Sequence, residues 1–287
     1  AQLMLADGKP HEKPALFNTE YGVVETTYTE ADESYAAKRR SQKSSVRTRQ
    51  LPGVSPLVFS RFLLEKTAFL SLSDMGKALP SYEEIPIACR MDEAVQSEYK
   101  RIENALVRVL RSDRRVAQKI LSAYLNLLTV YPDQPYDQKP ILYPDSDIPI
   151  VKPESIGDAD CLGEKELRTL EIVKAAIQNG ERALIYTSWV RTDSQQKLKK
   201  LLTDEGYRTE ILTDKIKTTD REDWVQKKLA AGMQVLIVNP SLVETGLDLN
   251  AFTTLVFYSM GYKLFTLRQA SRRSWRINQK APAVKVY

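Results

Sequence analysis

The chain has 287 residues, of which 43% are hydrophobic and 28% charged, a composition that is typical of globular domains and excludes general disorder. It has no apolar run near the roughly 20 residues that span a bilayer and no secretory signal, so we expect a cytoplasmic protein without a membrane partner. Two distant cysteines, Cys89 and Cys161, and a single histidine exclude a disulfide framework and the usual zinc sites. The net charge of +5 is compatible with a nucleic-acid partner but does not establish one.

Residues 1–78 are predicted to be largely irregular, with one short apolar helix from Phe59 to Leu72. The polar part of this segment carries a basic run, namely Lys38, Arg39, Arg40, Lys43, Arg47 and Arg49. Two interpretations of the run remain open: a solvated loop, or a segment that contacts phosphates.

Residues 79–160 are predicted to be mainly helical. After a candidate strand at Glu84–Arg90, the apolar spacing predicts helices at Glu93–Arg111, with Asp92 as its N-cap, and at Arg114–Val130. The proline-rich stretch Tyr131–Pro153 is predicted to be an extended connector.

Residues 161–287 alternate between helical periodicity and short buried strands, the pattern of a parallel α/β sheet. The predicted helices are Leu167–Asn179, Ser194–Glu205, Asp220–Ala231 and Leu264–Ile277. The predicted strands are Ala183–Tyr186, Tyr207–Leu212, Val235–Val238, Thr254–Tyr258 and Val284–Tyr287. Gly180, Gly206 and Gly232 are expected to end the first three helices.

Two stretches carry candidate chemistry. The loop after Val235–Val238 contains Thr245, Gly246 and Asp248, which could bind a phosphate or orient a basic side chain, or could simply form a turn. On the last predicted helix, Arg273 and Arg276 are three residues apart and share a face. Such a pair could stabilise a transferring phosphoryl group as arginine fingers, or could belong to a basic surface helix.

The order of these stretches is informative. Tyr186-Thr187-Ser188-Trp189, then Thr245-Gly246-Leu247-Asp248, then Gln269-x-x-x-Arg273-x-x-Arg276 resembles motifs IV, V and VI in the second RecA-like lobe of superfamily-2 helicases. The stretch from Arg273 to Lys280 is especially similar to the Swi/Snf-type translocases. The resemblance implies a RecA-like parallel sheet sandwiched by helices, with a helical and irregular N-terminal extension. It also implies that residues 79–160 join two lobes, and that residues 1–78 end the first lobe or form an insertion.

The resemblance also implies roles for individual residues. Arg276 would be the finger on the γ-phosphate, Arg273 its partner at the lobe interface, and Gln269 a residue that positions this interface. Gly246 and Asp248 would link the nucleotide to the nucleic-acid track. The residues implied in nucleic-acid binding are Thr187, Ser188, Trp189, Ser241 and Thr245.

The sequence lacks a Gly-x-x-x-x-Gly-Lys-Ser/Thr phosphate loop and an Asp-Glu strand end for magnesium, both of which belong to the first lobe. We therefore expect ATP and Mg²⁺ to act in a longer protein that carries both lobes, and this chain alone neither to bind them tightly nor to hydrolyse ATP. The expected partners are the first lobe and DNA, with RNA as an open alternative. Arg272 and Asn278 depart from the family pattern, which leaves a second hypothesis open: a non-catalytic nucleic-acid-binding or scaffold module.

Overall fold

The computed structural model describes residues 14–29, 45–69, 79–189, 192–243 and 247–287. The chain divides into two compact units, Ala1–Met75 and Gly76–Tyr287. Within the described ranges, no helix is long and apolar enough to cross a membrane. The basic run falls mostly outside the described residues.

The first unit contains a short helix, a β-hairpin and a second helical segment. Helix α1 is Pro14–Tyr21, and strands β1 (Gly22–Thr29) and β2 (Ser45–Val54) pair antiparallel. Helix α2 (Pro56–Val58) begins where the Ser55 hydroxyl accepts a hydrogen bond from the Leu57 amide. The helical path continues as a π-helical stretch, Phe59–Leu63, and a 3₁₀ turn, Leu64–Lys66, so this segment begins earlier and ends earlier than the predicted helix.

The second unit begins with β3 (Ser81–Glu84) and an antiparallel pair of helices, α3 (Glu93–Ser112) and α4 (Arg114–Val130). Both predicted helices are confirmed, and their facing apolar rows form one core around Ile102 and Tyr124. Asp92 occupies the N-cap position of α3, but its side chain makes no capping hydrogen bond there.

The proline-rich stretch is more ordered than an extended connector. Strands β4 (Ile141–Leu142) and β5 (Pro149–Val151) pair antiparallel, and Val151 is buried in the core of the helix pair. The prediction missed this hairpin because strands of two and three residues carry no readable alternation.

The remainder forms a RecA-like α/β layer structure, as predicted. The helices are α5 (Glu164–Gln178), α6 (Ser194–Asp204), α7 (Arg221–Ala230) and α8 (Leu264–Ser271). The strands are β6 (Ala183–Thr187), β7 (Thr209–Leu212), β8 (Val235–Val238), β9 (Thr254–Ser259) and β10 (Ala283–Val286). The parallel sheet has the order β3-β10-β9-β6-β8-β7.

Helices cover both faces of this sheet because successive strand side chains point to opposite sides. Leu184 and Tyr186 of β6 pack with residues of α7 and α8, whereas Ile185 packs with residues of α5 and α6. The glycines predicted to end three helices all have positive φ, with Gly232 at 88°.

Helix α8 is shorter than predicted. It ends at Ser271 rather than Ile277, so Arg273 and Arg276 lie in the turns that follow it and not on a helical face. Serine side chains compete with helical hydrogen bonds. Here the Ser271 hydroxyl donates to the Arg268 carbonyl, and the buried Ser274 hydroxyl donates to the Leu249 carbonyl. The second of these contacts ties the chain to another loop instead of to the next helical turn.

Candidate functional site

The carboxyl ends of the three central strands are joined by a hydrogen-bonded set of polar residues, which we call the carboxyl-edge network: Ser188, Asn239, Ser241 and Ser259. The Ser188 amide donates to the Ser259 hydroxyl at 2.9 Å, and the Ser188 hydroxyl donates to the Ser259 carbonyl at 2.9 Å. The Asn239 amide nitrogen donates to the Ser188 carbonyl at 3.0 Å. Its oxygen accepts from the amide and the hydroxyl of Ser241 at 2.9 and 2.7 Å.

This network fixes the loops that follow β6, β8 and β9 relative to one another. Carboxyl ends of parallel strands are where α/β sheets place their ligands. Two of the predicted nucleic-acid residues, Ser188 and Ser241, belong to the network, and Ser241 is exposed. Asn239 was missed because an asparagine before a proline is an ordinary loop residue, and only the fold reveals that it links two loops.

Two neighbouring predicted residues differ sharply in exposure. The Thr187 side chain is fully buried, and its hydroxyl accepts a hydrogen bond from the Gln195 amide of α6 at 2.7 Å. Thr187 therefore holds α6 on β6, and its side chain does not reach a ligand. Trp189 is partly exposed and meets the ring of Tyr262 edge-on, with centroids 6.5 Å apart.

Tyr262 connects the same edge to the helix pair. Tyr262 is 69% exposed, and its hydroxyl lies 2.8 Å from the Thr129 hydroxyl and donates to the Leu125 carbonyl. The aromatic pair of Trp189 and Tyr262 thus stands at the junction between the sheet edge and α4, where aromatic faces are available to a ligand.

Arg276 and Asp248 form an ion pair, with Nη1 2.9 Å from Oδ1. The structure therefore brings together two residues that the sequence places 28 positions apart (276 − 248). About a third of each side chain is exposed, so the pair faces solvent and is weakened by it. A negatively charged ligand at this position would compete with Asp248 for the guanidinium.

The turn segment after α8 is fastened to the loop that carries Asp248. The Ser274 hydroxyl donates to the Leu249 carbonyl at 3.0 Å, and the Gln279 amide donates to the Asn250 carbonyl at 2.9 Å. The Asn250 amide also donates to the Asn278 side-chain oxygen at 2.9 Å. These contacts place Arg276 beside Asp248 without a helix, and they give Asn278 a structural role in this chain.

Two further contacts fix α8 and its following turn to the sheet. The buried Tyr186 hydroxyl donates to the Ala270 carbonyl at 2.9 Å, and burial raises the pKa of Tyr186, which keeps the donor protonated. The Trp275 indole donates to the Pro80 carbonyl and packs on Tyr82, so Trp275 is a packing residue.

The other predicted residues are distributed as follows. Arg273 is half-buried in the first turn after α8, where its amide donates to the Ala270 carbonyl. Gln269 is half-buried on α8. Thr245 and Gly246 lie outside the described residues. Both cysteines, Cys89 and Cys161, are free and exposed.

The described parts of the chain contain no group of three or more His, Cys, Asp or Glu side chains arranged to hold a metal ion. The charged groups at the candidate site are an aspartate and arginines, and the arginines suit an anionic ligand. A groove of 920 Å³ in the second unit lies elsewhere, between α5 and α8 around the ends of β9 and β10, and its lining does not include Asp248 or Arg276.

Comparison with known proteins gives one family match. Residues 165–278 match the family model described as the helicase conserved C-terminal domain. Comparison with curated proteins gave no sequence match.

Solved structures share the fold at low sequence identity. The C-terminal part of the Fun30 ATPase domain superimposes with a TM-score of 0.55 at 13% identity, covering 72% of this chain and 84% of that one. The Sulfolobus solfataricus SWI2/SNF2 ATPase core in complex with dsDNA gives a TM-score of 0.54 at 19% identity, covering 72% of this chain and 40% of that one. The Sulfolobus solfataricus SWI2/SNF2 ATPase core domain gives a TM-score of 0.54 at 16% identity, covering 75% of this chain and 41% of that one. The present chain thus spans about two fifths of the Sulfolobus cores; its residues 165–278 match the helicase conserved C-terminal domain, and its fold is similar to that of these ATPase domains.

Proposed function

We propose that the chain is the second motor lobe of a DNA-dependent ATPase that translocates on nucleic acid. The observation that carries this proposal is the Arg276–Asp248 ion pair, fastened at the edge of a RecA-like sheet by the contacts of Ser274 and Gln279. A guanidinium held at a solvent-facing lobe edge is suited to a phosphate supplied by a second lobe.

Arg276 acts as an arginine finger in this proposal. When the lobes close, the γ-phosphate oxygens replace Asp248 as the partner of the guanidinium, and Arg276 stabilises the negative charge that develops during transfer. The exchange is feasible because an ion pair exposed by about a third on each side is worth roughly 1 kcal/mol or less. Arg273, in the same turn segment, supports the lobe interface.

ATP and Mg²⁺ would be bound mainly by the first lobe, and this chain would supply the cationic half of the site. Asp248 keeps Arg276 oriented toward that interface before the nucleotide arrives. Magnesium neutralises phosphate charge in such reactions, and the chain's own contribution is the guanidinium on the opposite side.

The nucleic-acid track is proposed to follow the carboxyl-edge network. Ser188 and Ser241 would redirect their hydroxyls, which donate within the network in the free chain, to backbone phosphates, and Trp189 would stack on a base or sugar. Asn239 connects the two loops through its hydrogen bonds, so that a movement of the loop after β8 is transmitted to the loop after β6. Binding should be salt-dependent and weakly selective for sequence.

A second function is also a candidate, because Asp248 already neutralises the proposed finger, Arg276, within the lobe. In that case the domain is a nucleic-acid-binding scaffold without turnover. The two functions are separated by ATP hydrolysis in the protein that carries both lobes, comparing Arg276→Ala with Arg272→Ala. Arg272 is a matched control because it lies in the same turn segment after α8, is exposed and lies over the Trp275 ring at 5.9 Å. A motor loses turnover only with Arg276→Ala, whereas a scaffold shows no DNA-stimulated turnover in any form.

A further inference from the structure

The end of the α3–α4 hairpin carries an exposed cluster of positive charge, which we call the helical tip: Arg108, Arg111, Arg115 and Lys119. All four side chains are exposed. The sequence from 108 to 119 contains four arginines and one lysine against one aspartate, Asp113. The helical tip lies in the segment before the helicase C-terminal domain, outside the carboxyl-edge network.

The arginines of the helical tip lack the carboxylates that accompany arginines on other helices of this protein. Arg101 pairs with Glu98 at 2.6 Å, and Arg168 pairs with Glu164 and Glu171 at 3.6 and 2.8 Å. Residues three or four positions apart are neighbours on a helix surface. At those distances from Arg108, Arg111 and Arg115 the sequence places no aspartate or glutamate.

No described carboxylate lies within ion-pair distance of these three arginines, and Arg108 and Arg111 are instead like-charged neighbours three positions apart. Like charges at this spacing destabilise a helix. Lys119 pairs with Asp145 at 3.2 Å, but both side chains are largely exposed, so the pair is weak.

The helix ends at the helical tip do not add to this charge. The first turn of α4 contains no acidic residue, but Asp113 is its N-cap and accepts from the amides of Arg115 and Val116 at 2.9 and 3.1 Å. The carboxyl end of α3, with Arg111 in its last turn, lies beside it and has the opposite dipole. The positive charge of the helical tip therefore comes from its side chains, of which Asp113 offsets one.

We propose that the helical tip is a second phosphate-binding surface for duplex DNA, additional to the track on the helicase domain. This inference rests on the proposed function, because a protein that moves along DNA is already bound to a polyanion. Guanidinium groups match phosphate oxygens with two parallel hydrogen bonds, and three of the four cations are arginines. Such contacts grip the backbone without reading sequence.

The test is binding of the 287-residue chain to a fluorescein-labelled duplex, followed by anisotropy between about 50 and 200 mM salt. The test variant is Arg108→Gln/Arg111→Gln/Arg115→Gln. The control variant neutralises three exposed lysines elsewhere, Lys174→Gln/Lys215→Gln/Lys227→Gln. All six positions are on the surface, and thermal melting verifies that both variants fold.

Each phosphate contact contributes about 0.9 to the slope of log K against log salt concentration. We expect the test variant to lose about 2 to 3 from that slope, and the control variant to keep the slope of the unmodified chain. Equal slopes in all three proteins would overturn the helical tip as a DNA surface and would favour an acidic protein as its partner. If the unmodified chain does not bind DNA, the proposed function is wrong as well. This result differs from equal slopes, which overturn the helical tip alone.

Discussion

A buried ion pair between α5 and α6 gives a sharp stability prediction. Lys197 of α6 lies 2.8 Å from Glu166 of α5, and their side chains are only 6% and 5% exposed. Glu166 also accepts from the hydroxyl of Tyr258 at 2.9 Å and from the amide of Gly163 at 3.1 Å. Two helices and strand β9 therefore meet at one carboxylate.

Replacing Lys197 with methionine keeps the length of the side chain and removes its charge. The Glu166 carboxylate then remains buried without its cation, which typically costs 3–5 kcal/mol. Because Tyr258 and Gly163 still donate to it, we expect the lower end, a loss of about 3 kcal/mol in the free energy of unfolding. Urea unfolding of the second unit, followed by circular dichroism, measures this loss.

The matched control is Lys200→Met on the same helix. Lys200 lies 2.6 Å from Asp160, but the two side chains are 64% and 76% exposed. Exposed pairs contribute about 1 kcal/mol or less, so this substitution should change stability little. The double variant Lys197→Met/Glu166→Met should recover at least half of the loss, because it removes the buried charge altogether. Equal stability of the two single variants would refute this reasoning.

Three further predictions concern pH, the nucleic-acid track and the carboxyl-edge network. Burial raises the pKa of Glu98, but hydrogen bonds from Arg101 and the Glu154 amide outweigh it and leave the pKa lowered. The stability that Glu98 contributes is present above the ordinary glutamate pKa and is lost as pH falls, so Glu98→Gln should destabilise the chain at pH 7 and progressively less below about pH 4.5 in urea titrations. Adding DNA should quench tryptophan fluorescence through Trp189, and Trp189→Phe should abolish the quenching; an unchanged signal in that variant would exclude contact at this residue. Asn239→Asp should destabilise the chain by about 1–3 kcal/mol and weaken DNA binding, because it removes the donor to the Ser188 carbonyl, and unaltered binding with altered stability would assign Asn239 a purely structural role.

The sheet was predictable from the sequence because buried parallel strands and amphipathic helices have different periods. Strands β6 and β8 are fully buried and read as continuous apolar runs, and the glycines that end α5, α6 and α7 adopt the expected positive φ. The order of strands in space required the coordinates, since the sequence pattern alone does not say that β10 lies between β3 and β9.

The end of α8 was not predictable because tertiary contacts determine it. The sequence continues with residues that tolerate a helix, yet Ser274 and Trp275 make hydrogen bonds to Leu249 and Pro80, far away along the chain. Local spacing therefore placed Arg273 and Arg276 on one helical face, whereas the fold places them in successive turns.

The candidate site was only partly predictable for the same reason. Asp248 and Arg276 were singled out separately, and the structure joins them in one ion pair. Thr187 looked accessible at the end of a strand, but the neighbouring helix supplies Gln195 to its hydroxyl and buries it. Asn239 carried no distinguishing signal in the sequence, because its importance comes from the two loops that it connects.

The most direct test of the arginine-finger assignment is the turnover number for DNA-stimulated ATP hydrolysis by Arg276→Ala in the protein that carries both lobes. Arginine fingers contribute about 10³- to 10⁵-fold to this rate. We expect a loss of at least about a thousandfold, with DNA affinity unchanged and with Arg276→Lys recovering only a small part, since lysine lacks the planar fork. Turnover that stays within about threefold of the Arg272→Ala control would contradict the assignment.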